Sequence, residues 1–241
     1  MDFNTGRGGE RPDDESRPLF SGETGRPVGD PGRGPAGGPG GEFNLQDPIN
    51  SFINTVRNVV LNPADFFRGI RRRQGDFVNP LVFALICALV SGILGGITNF
   101  LLSLAFAGDP DSEVGGAFGG LVGNIIVVPI TTAIGLFIGA GILHLLVLLL
   151  VRPGNAGYEA TFRVVSYANV TQLVSWIPII GFIASLYGLV LVILGIREVH
   201  DTTTGRAALV VLIPVAVVLL LILLLATLIG AALFLGSQQQ F

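Results

Sequence analysis

The sequence predicts an all-α membrane protein with five transmembrane helices, short amphipathic helices before the first span and a disordered N-terminal tail. Half of the 241 residues are hydrophobic and 13% are charged, against about 25% charged in an average soluble domain. Long apolar runs recur from residue 78 onward, and about 20 apolar residues suffice to cross the hydrocarbon core of a bilayer.

The composition divides the chain into three parts. Residues 1–46 are rich in Gly and Pro and almost lack Leu, Ile and Val, so they bury too little apolar surface to offset their chain entropy and are predicted to be disordered. Residues 47–77 are predicted to form amphipathic or interfacial helices, and residues 78–236 the five-span membrane domain.

Two short helices are predicted before the first span. Asp47 and Pro48 are typical of a helix start, and Asn62-Pro63 repeats that signal for a helix that ends near Arg73. Apolar residues fall on one face of the first helix, which would lie in the membrane interface or pack on the bundle; they are Ile49, Phe52, Ile53, Val56, Val59 and Val60.

Five hydrophobic segments are long enough to be spans. Pro129 can kink the second, whose membrane core is placed near residues 124–150. The five are about Pro80–Ala107, residues 124–150, Tyr158–Ile179, Phe182–Val199 and Ala207–Leu235.

The arginines predict the orientation. They cluster before the first span and in every second connection, whereas the loop Gly108–Gly116 carries acids and no basic residue. By the positive-inside rule the chain is a multi-pass cell-membrane protein with its N-terminus in the cytoplasm and its C-terminus outside.

Charged residues gather at the cytoplasmic ends of the last three predicted spans. We predict one polar layer there, a candidate contact site for a lipid headgroup or a cytoplasmic protein partner. Its members are Glu159, Arg163, Arg197, Glu198, His200, Asp201 and Arg206. Arg197 and Asp201 would pair if the helix continued through them. The alternative is that each residue snorkels or caps a helix separately.

The predicted third span is unusually polar. Ser166, Asn169, Gln172 and Ser175 recur every three residues, and His144 lies in the second span. Polar groups in lipid must find partners. This intramembrane polar stripe therefore predicts either interhelical hydrogen bonds or a groove for a substrate or lipid headgroup. For His144, a hydrogen-bonded buried residue is expected rather than a ligand.

No motif of catalysis, metal binding or cofactor binding occurs in the sequence. It has one cysteine and two isolated histidines, and it lacks HExxH, GxSxG and phosphate-loop patterns. The net charge of −3 offers no basic footprint for nucleic acid. Small residues four apart, such as Gly92/Gly96, favour close helix packing within the bundle or between copies of the chain.

The segment from Tyr158 to Ala208 resembles the YIP (Ypt-interacting protein) domain family of multi-span membrane proteins. The resemblance rests on the Thr-Phe-Arg start of the third span, the Pro178/Gly181 hairpin and the Gly-Ile-Arg-Glu-Val-His run ending at His200. It implies a five-span domain with a cytoplasmic N-terminus, in the prokaryotic branch of the family. The expected function is non-enzymatic membrane organisation or partner recruitment. The alternative is a small transporter or channel that uses the polar third span.

Overall fold

A computed structural model describes residues 41–71, 75–106, 110–151 and 154–238. The described chain is built of α-helices and one 3-10 helix. These are α1 (Pro48–Leu61), α2 (Pro63–Ile70), α3 (Val78–Phe106), α4 (Pro110–Leu150), α5 (Tyr158–Ala168), the 3-10 helix (Asn169–Val174), α6 (Pro178–Val199) and α7 (Thr204–Gln238). The predicted all-α class is confirmed.

Four of these helices are long and apolar enough to cross a membrane. They contain the segments Val78–Ala105, Phe118–Leu150, Pro178–Val199 and Thr204–Ala232. Their side chains are mostly outward-facing and apolar, as expected of helices surrounded by lipid. Helix α4 continues through Pro129 rather than ending there.

The predicted third span is not one continuous helix, so five continuous spanning helices are not confirmed. The segment from Tyr158 to Ile179 forms the 11-residue α5, then the six-residue 3-10 helix, then a turn into α6. The α-helix ends at Ala168, and the 3-10 helix begins at Asn169. Side chains in the segment donate hydrogen bonds to its own carbonyl groups, such as Asn169 Nδ2 to Val165 O at 2.9 Å and Trp176 Nε1 to Leu173 O at 3.0 Å. Such local bonds offer the backbone an alternative to the α-helical pattern.

The broken segment lies antiparallel along the whole of α6. Three glycines mark the contact: a Cβ at Gly195 would meet Val164, one at Gly188 would lie 3.2 Å from Thr171 Oγ1, and one at Gly181 would lie 2.5 Å from the Ser175 carbonyl oxygen. α5 and the 3-10 helix together are about 28 Å long, against about 33 Å for α6. The segment therefore advances almost the full length of a span.

Two further glycines bring α3 and α4 together. A Cβ at Gly92 would lie 2.9 Å from the Asn124 carbonyl oxygen, and one at Gly96 would lie 3.4 Å from that of Leu121. These small residues pack helices within the bundle, as predicted. Gly135 and Gly139 face open space, so association between copies of the chain stays a prediction.

Part of the apolar face of helix α1 packs on the bundle, and a position in the membrane interface stays a prediction. Val59 is fully buried, while Ile49 and Ile53 are 72% and 59% exposed. Ser51 and Thr55 also turn inward, and they hydrogen-bond the chain segment that precedes the helix. The apolar face is therefore divided between the bundle and the surroundings.

Residues 41–46, which we call the strap, belong to the folded core. Glu42 is 1% exposed and Phe43 is fully buried, although the sequence pattern assigns both to the tail. Phe43 packs on the rings of Phe52 and Phe83, with centroids 6.4 and 6.0 Å away. The predicted disordered region from residue 1 to residue 40 lies outside the described residues.

Candidate functional site

Charged side chains of the described residues lie together at one end of the bundle, which we call the base. It is defined by Glu159, Arg163, Arg197, Glu198, His200 and Asp201. Arg163 is buried at its centre, 1% exposed. Its Nη2 donates to both carboxylate oxygens of Glu42, at 2.5 and 2.7 Å, and its Nη1 donates to Ile70 O at 3.3 Å. A buried guanidinium requires such pairing because desolvation of an unpaired charge is costly.

Glu159 hydrogen-bonds the two residues, Gly75 and Asp76, that lead into α3. Its two carboxylate oxygens accept the backbone N–H groups of Gly75 and Asp76, at 2.8 and 2.9 Å. Glu159 Oε1 also lies 4.0 Å from Arg163 Nη1. The first turn of α5 thereby joins the buried arginine to the start of the first span.

The remaining charges form two ion-paired groups. Glu198 accepts from Arg197, at 2.5 Å, and from Arg68, at 3.1 Å. Asp201 pairs with Arg71 at 3.1 Å. The anticipated pair of Arg197 with Asp201 does not form, because α6 ends at Val199 and Asp201 turns away with a φ of +49°.

Arg206 is the outlying member of the predicted layer. It is exposed in the first turn of α7, and its backbone N–H lies 3.4 Å from Thr203 Oγ1. The base thus brings together six of the seven predicted residues. It does so as separate ion pairs and hydrogen-bonded groups rather than one continuous network.

His200, Thr161 and His144 form a hydrogen-bonded chain that joins the residue after α6 to α5 and α4. The Ala156 N–H donates to His200 Nδ1 at 3.1 Å, so the proton of the neutral ring sits on Nε2, which lies 3.0 Å from Thr161 Oγ1. The threonine hydroxyl can then donate to His144 Nδ1, 3.1 Å away. His144 therefore belongs to the base and not to the intramembrane stripe. It is hydrogen-bonded as expected, but it is half-buried rather than buried.

The buried imidazole of His200 is held in its neutral form. Burial, aided by the nearby His144 and Arg71, lowers the pKa of His200 from 6.5 to about 4. Protonation would place a proton on Nδ1, where the Ala156 N–H already points. Within the described part of the chain, no three or more His, Cys, Asp or Glu side chains are grouped so as to hold a metal ion.

The polar stripe divides where α5 becomes the 3-10 helix. Ser166 is on α5 and fully buried. In a 3-10 helix, residues three apart lie directly above one another, and Gln172 Nε2 donates to Asn169 Oδ1 at 3.3 Å. Ser175, just beyond the helix, lies 2.8 Å from Ser91 Oγ of α3. The three-residue spacing therefore becomes a straight polar edge rather than a drifting stripe.

The polar edge opens into two recesses, one on each side. Both are lined by Val165, Asn169 and Gln172. The first, about 350 Å³, is completed by α4 with Thr131, Thr132, Gly135 and Leu136. The second, about 330 Å³, is completed by α6 with Gly181, Ser185 and Gly188 among its residues. Both lie near the middle of the spanning parts of α4 and α6.

Several residues that build these sites are not predictable from the local sequence. Glu42 stands in a Gly-rich stretch with no periodic pattern, and its partner is 121 positions away. Arg68 and Arg71 belong to the arginines that cluster before the first span, but their pairing with Glu198, near the end of α6, and with Asp201, just beyond it, depends on the fold. Thr161 belongs to the Thr-Phe-Arg sequence noted near the start of the third predicted span. Its position between His144 and His200 follows only from the fold.

Comparison with known proteins identifies a protein family. A family model, the Yip1 domain, matches residues 57–237. No curated protein and no solved structure matches the chain.

Proposed function

The chain belongs to the Yip1 domain family, and from that premise we propose that it is a non-enzymatic membrane protein that recruits a partner or organises lipid within the bilayer. The observation that carries the proposal is the polar edge of Asn169 and Gln172, which borders two recesses near the middle of the candidate spans in α4 and α6. An occupant that hydrogen-bonds these side-chain amides would be stabilised there, because lipid tails offer the amides no hydrogen-bond partner.

The base is a weaker candidate for recruitment than this edge. Its carboxylates are already engaged, Glu198 by two arginines and Asp201 by Arg71. A ligand there would have to displace existing ion pairs. We therefore assign the ion pairs of Glu198 and Asp201 a structural role, and the intramembrane recesses the recruitment of a membrane-embedded partner or lipid.

The recesses favour recruitment over coupled transport. Every residue that lines them is uncharged, whereas ion-coupled carriers use ionisable side chains near the bilayer midplane. Neutral amides and hydroxyls suit a partner helix with polar side chains or a lipid that carries hydroxyl or amide groups.

A photoreactive amino acid in place of Gln172 is expected to cross-link a discrete protein or lipid in native membranes. The same reagent at Leu221, a 56% exposed residue of α7, should capture only bulk lipid. Adding Asn169→Leu should abolish the discrete product, because it removes the neighbouring amide of the edge. Identical bulk-lipid patterns at both positions, analysed by mass spectrometry, would refute the assignment.

We also propose that the chain crosses the membrane five times, with the third crossing made by α5 and the 3-10 helix. The support is its antiparallel course along α6, which is a candidate span. The arginine distribution then supports an N-terminus in the cytoplasm and a C-terminus outside.

Cysteine labelling should distinguish five crossings from four. In a Cys87→Ser background, single cysteines at Ser112 and Ser237 are both expected to react with a membrane-impermeant maleimide applied to intact cells. Four crossings would return the chain's end to the cytoplasm, so that the cysteine at Ser237 reacts only after permeabilisation. A mass-tag shift on gels gives the labelled fraction.

A further inference from the structure

The strap lies in a site that is built to receive it. Ser51 Oγ exchanges hydrogen bonds with the backbone N–H and C=O of Asn44, each at 3.0 Å, and Thr55 Oγ1 donates to Gly41 O at 3.0 Å. The Leu45 N–H reaches Asn79 Oδ1 of α3 at 3.3 Å. Polar side chains on two helices thus bind the strap backbone on both flanks of its central dipeptide.

The side chains of that dipeptide enter two distinct pockets. Glu42 reaches the buried guanidinium of Arg163 through both carboxylate oxygens. Phe43 enters a cluster of aromatic rings from α1 and α3, Phe52 and Phe83. A carboxylate site beside an aromatic pocket selects an acidic residue followed by an aromatic one.

Arg163 has a second carboxylate within reach. Glu159 Oε1 stands 4.0 Å from Nη1, so a small movement would let it replace Glu42. A buried ion pair adds little net stability, because desolvation offsets much of the Coulomb attraction. An alternative partner further lowers the free energy needed to release the strap.

We propose that the base contains a binding site for a peptide segment with an acidic residue followed by an aromatic one, filled in this structure by the chain's own Glu42-Phe43. The strap is a releasable ligand of that site. When it leaves, Arg163 turns to Glu159, which loosens the grip of Glu159 on Gly75 and Asp76. Release of the strap thereby weakens the hydrogen bonds that hold the chain at the start of α3.

Hydrogen–deuterium exchange of the full chain in nanodiscs tests this site. The readout is exchange at the amides of Asn44 and Leu45, which are hydrogen-bonded only while the strap is docked. Glu42→Gln, which keeps the side-chain size, is expected to accelerate their exchange about 100-fold. The matched control is Asp47→Asn, which removes a carboxylate that bonds only locally to Asn50 and should leave exchange unchanged.

A competition arm asks whether the docked strap exchanges with a ligand in trans. An excess of a synthetic peptide with the sequence of residues 36–46, AGGPGGEFNLQ, should accelerate exchange at the same two amides of the unaltered protein. The peptide with Gln in place of Glu should not. Equal exchange in Glu42→Gln and the unaltered protein would overturn the carboxylate site. A peptide without effect would overturn the releasable strap, whatever the substitutions do.

Discussion

Replacing Gly181 by alanine is expected to lower the free energy of unfolding by about 3 kcal/mol, the cost of forcing extra volume into a close-packed site. The new Cβ would lie 2.5 Å from the Ser175 carbonyl oxygen and 3.0 Å from the Ser175 Cα. Both are backbone atoms, so no side-chain rotation relieves the overlap. The turn between the 3-10 helix and α6 would have to open, which thermal unfolding in detergent would detect.

The control for this substitution is Gly139→Ala in α4. A Cβ at Gly139 meets nothing within 4 Å, and alanine is favoured over glycine inside a helix by about 1 kcal/mol. We therefore expect an unchanged or slightly raised melting temperature. Equal melting temperatures for the two variants would show that the third segment does not pack as closely on α6 as described.

The protein is expected to lose about 3 kcal/mol of stability between pH 6.5 and pH 4 through His200 alone. The pKa of His200 is lowered to about 4 in the folded protein, from an ordinary value of 6.5. Between pH 6.5 and pH 4 the imidazole of His200 is protonated in the unfolded chain but not in the folded one, so acid favours unfolding. Above pH 6.5 both states are neutral and this contribution is fully retained.

Comparison with His200→Gln isolates this contribution from that of the carboxylates. Glutamine does not titrate, so the difference in unfolding free energy between the two proteins should shrink as the pH falls from 7.5 to 4.5. His144→Gln is the matched control, because it removes the other imidazole of the chain of hydrogen bonds but leaves His200 bonded to Ala156 and Thr161. Parallel pH curves for His200→Gln and the unaltered protein would contradict the assigned protonation.

The long candidate spans were predictable because each is a continuous apolar run, and the length and composition of such a run are enough to indicate a membrane-spanning helix. The 3-10 helix was harder. The three-residue spacing of Asn169, Gln172 and Ser175 was visible, but it was interpreted with α-helical geometry. The hydrogen bond from the Ser175 N–H to Gln172 O, at 3.1 Å, shows that the tighter 3-10 helix uses that spacing.

The strap was missed for a different physical reason. Disorder is judged from the average composition of a window, and two residues, Glu42 and Phe43, barely change the average of a Gly-rich stretch. Their burial depends on a guanidinium and aromatic rings supplied by distant helices. Tertiary partners of this kind leave no local signal in the sequence.

The broken third segment has a consequence for how the chain is made. A stretch that carries Arg163, Asn169 and Gln172 partitions poorly from the translocon into lipid by itself. Its partner α6 is strongly apolar, with a mean hydropathy of 2.6, and lies against its whole length. On the five-crossing topology proposed above, we therefore expect α5 and α6 to enter the bilayer together as a helical hairpin.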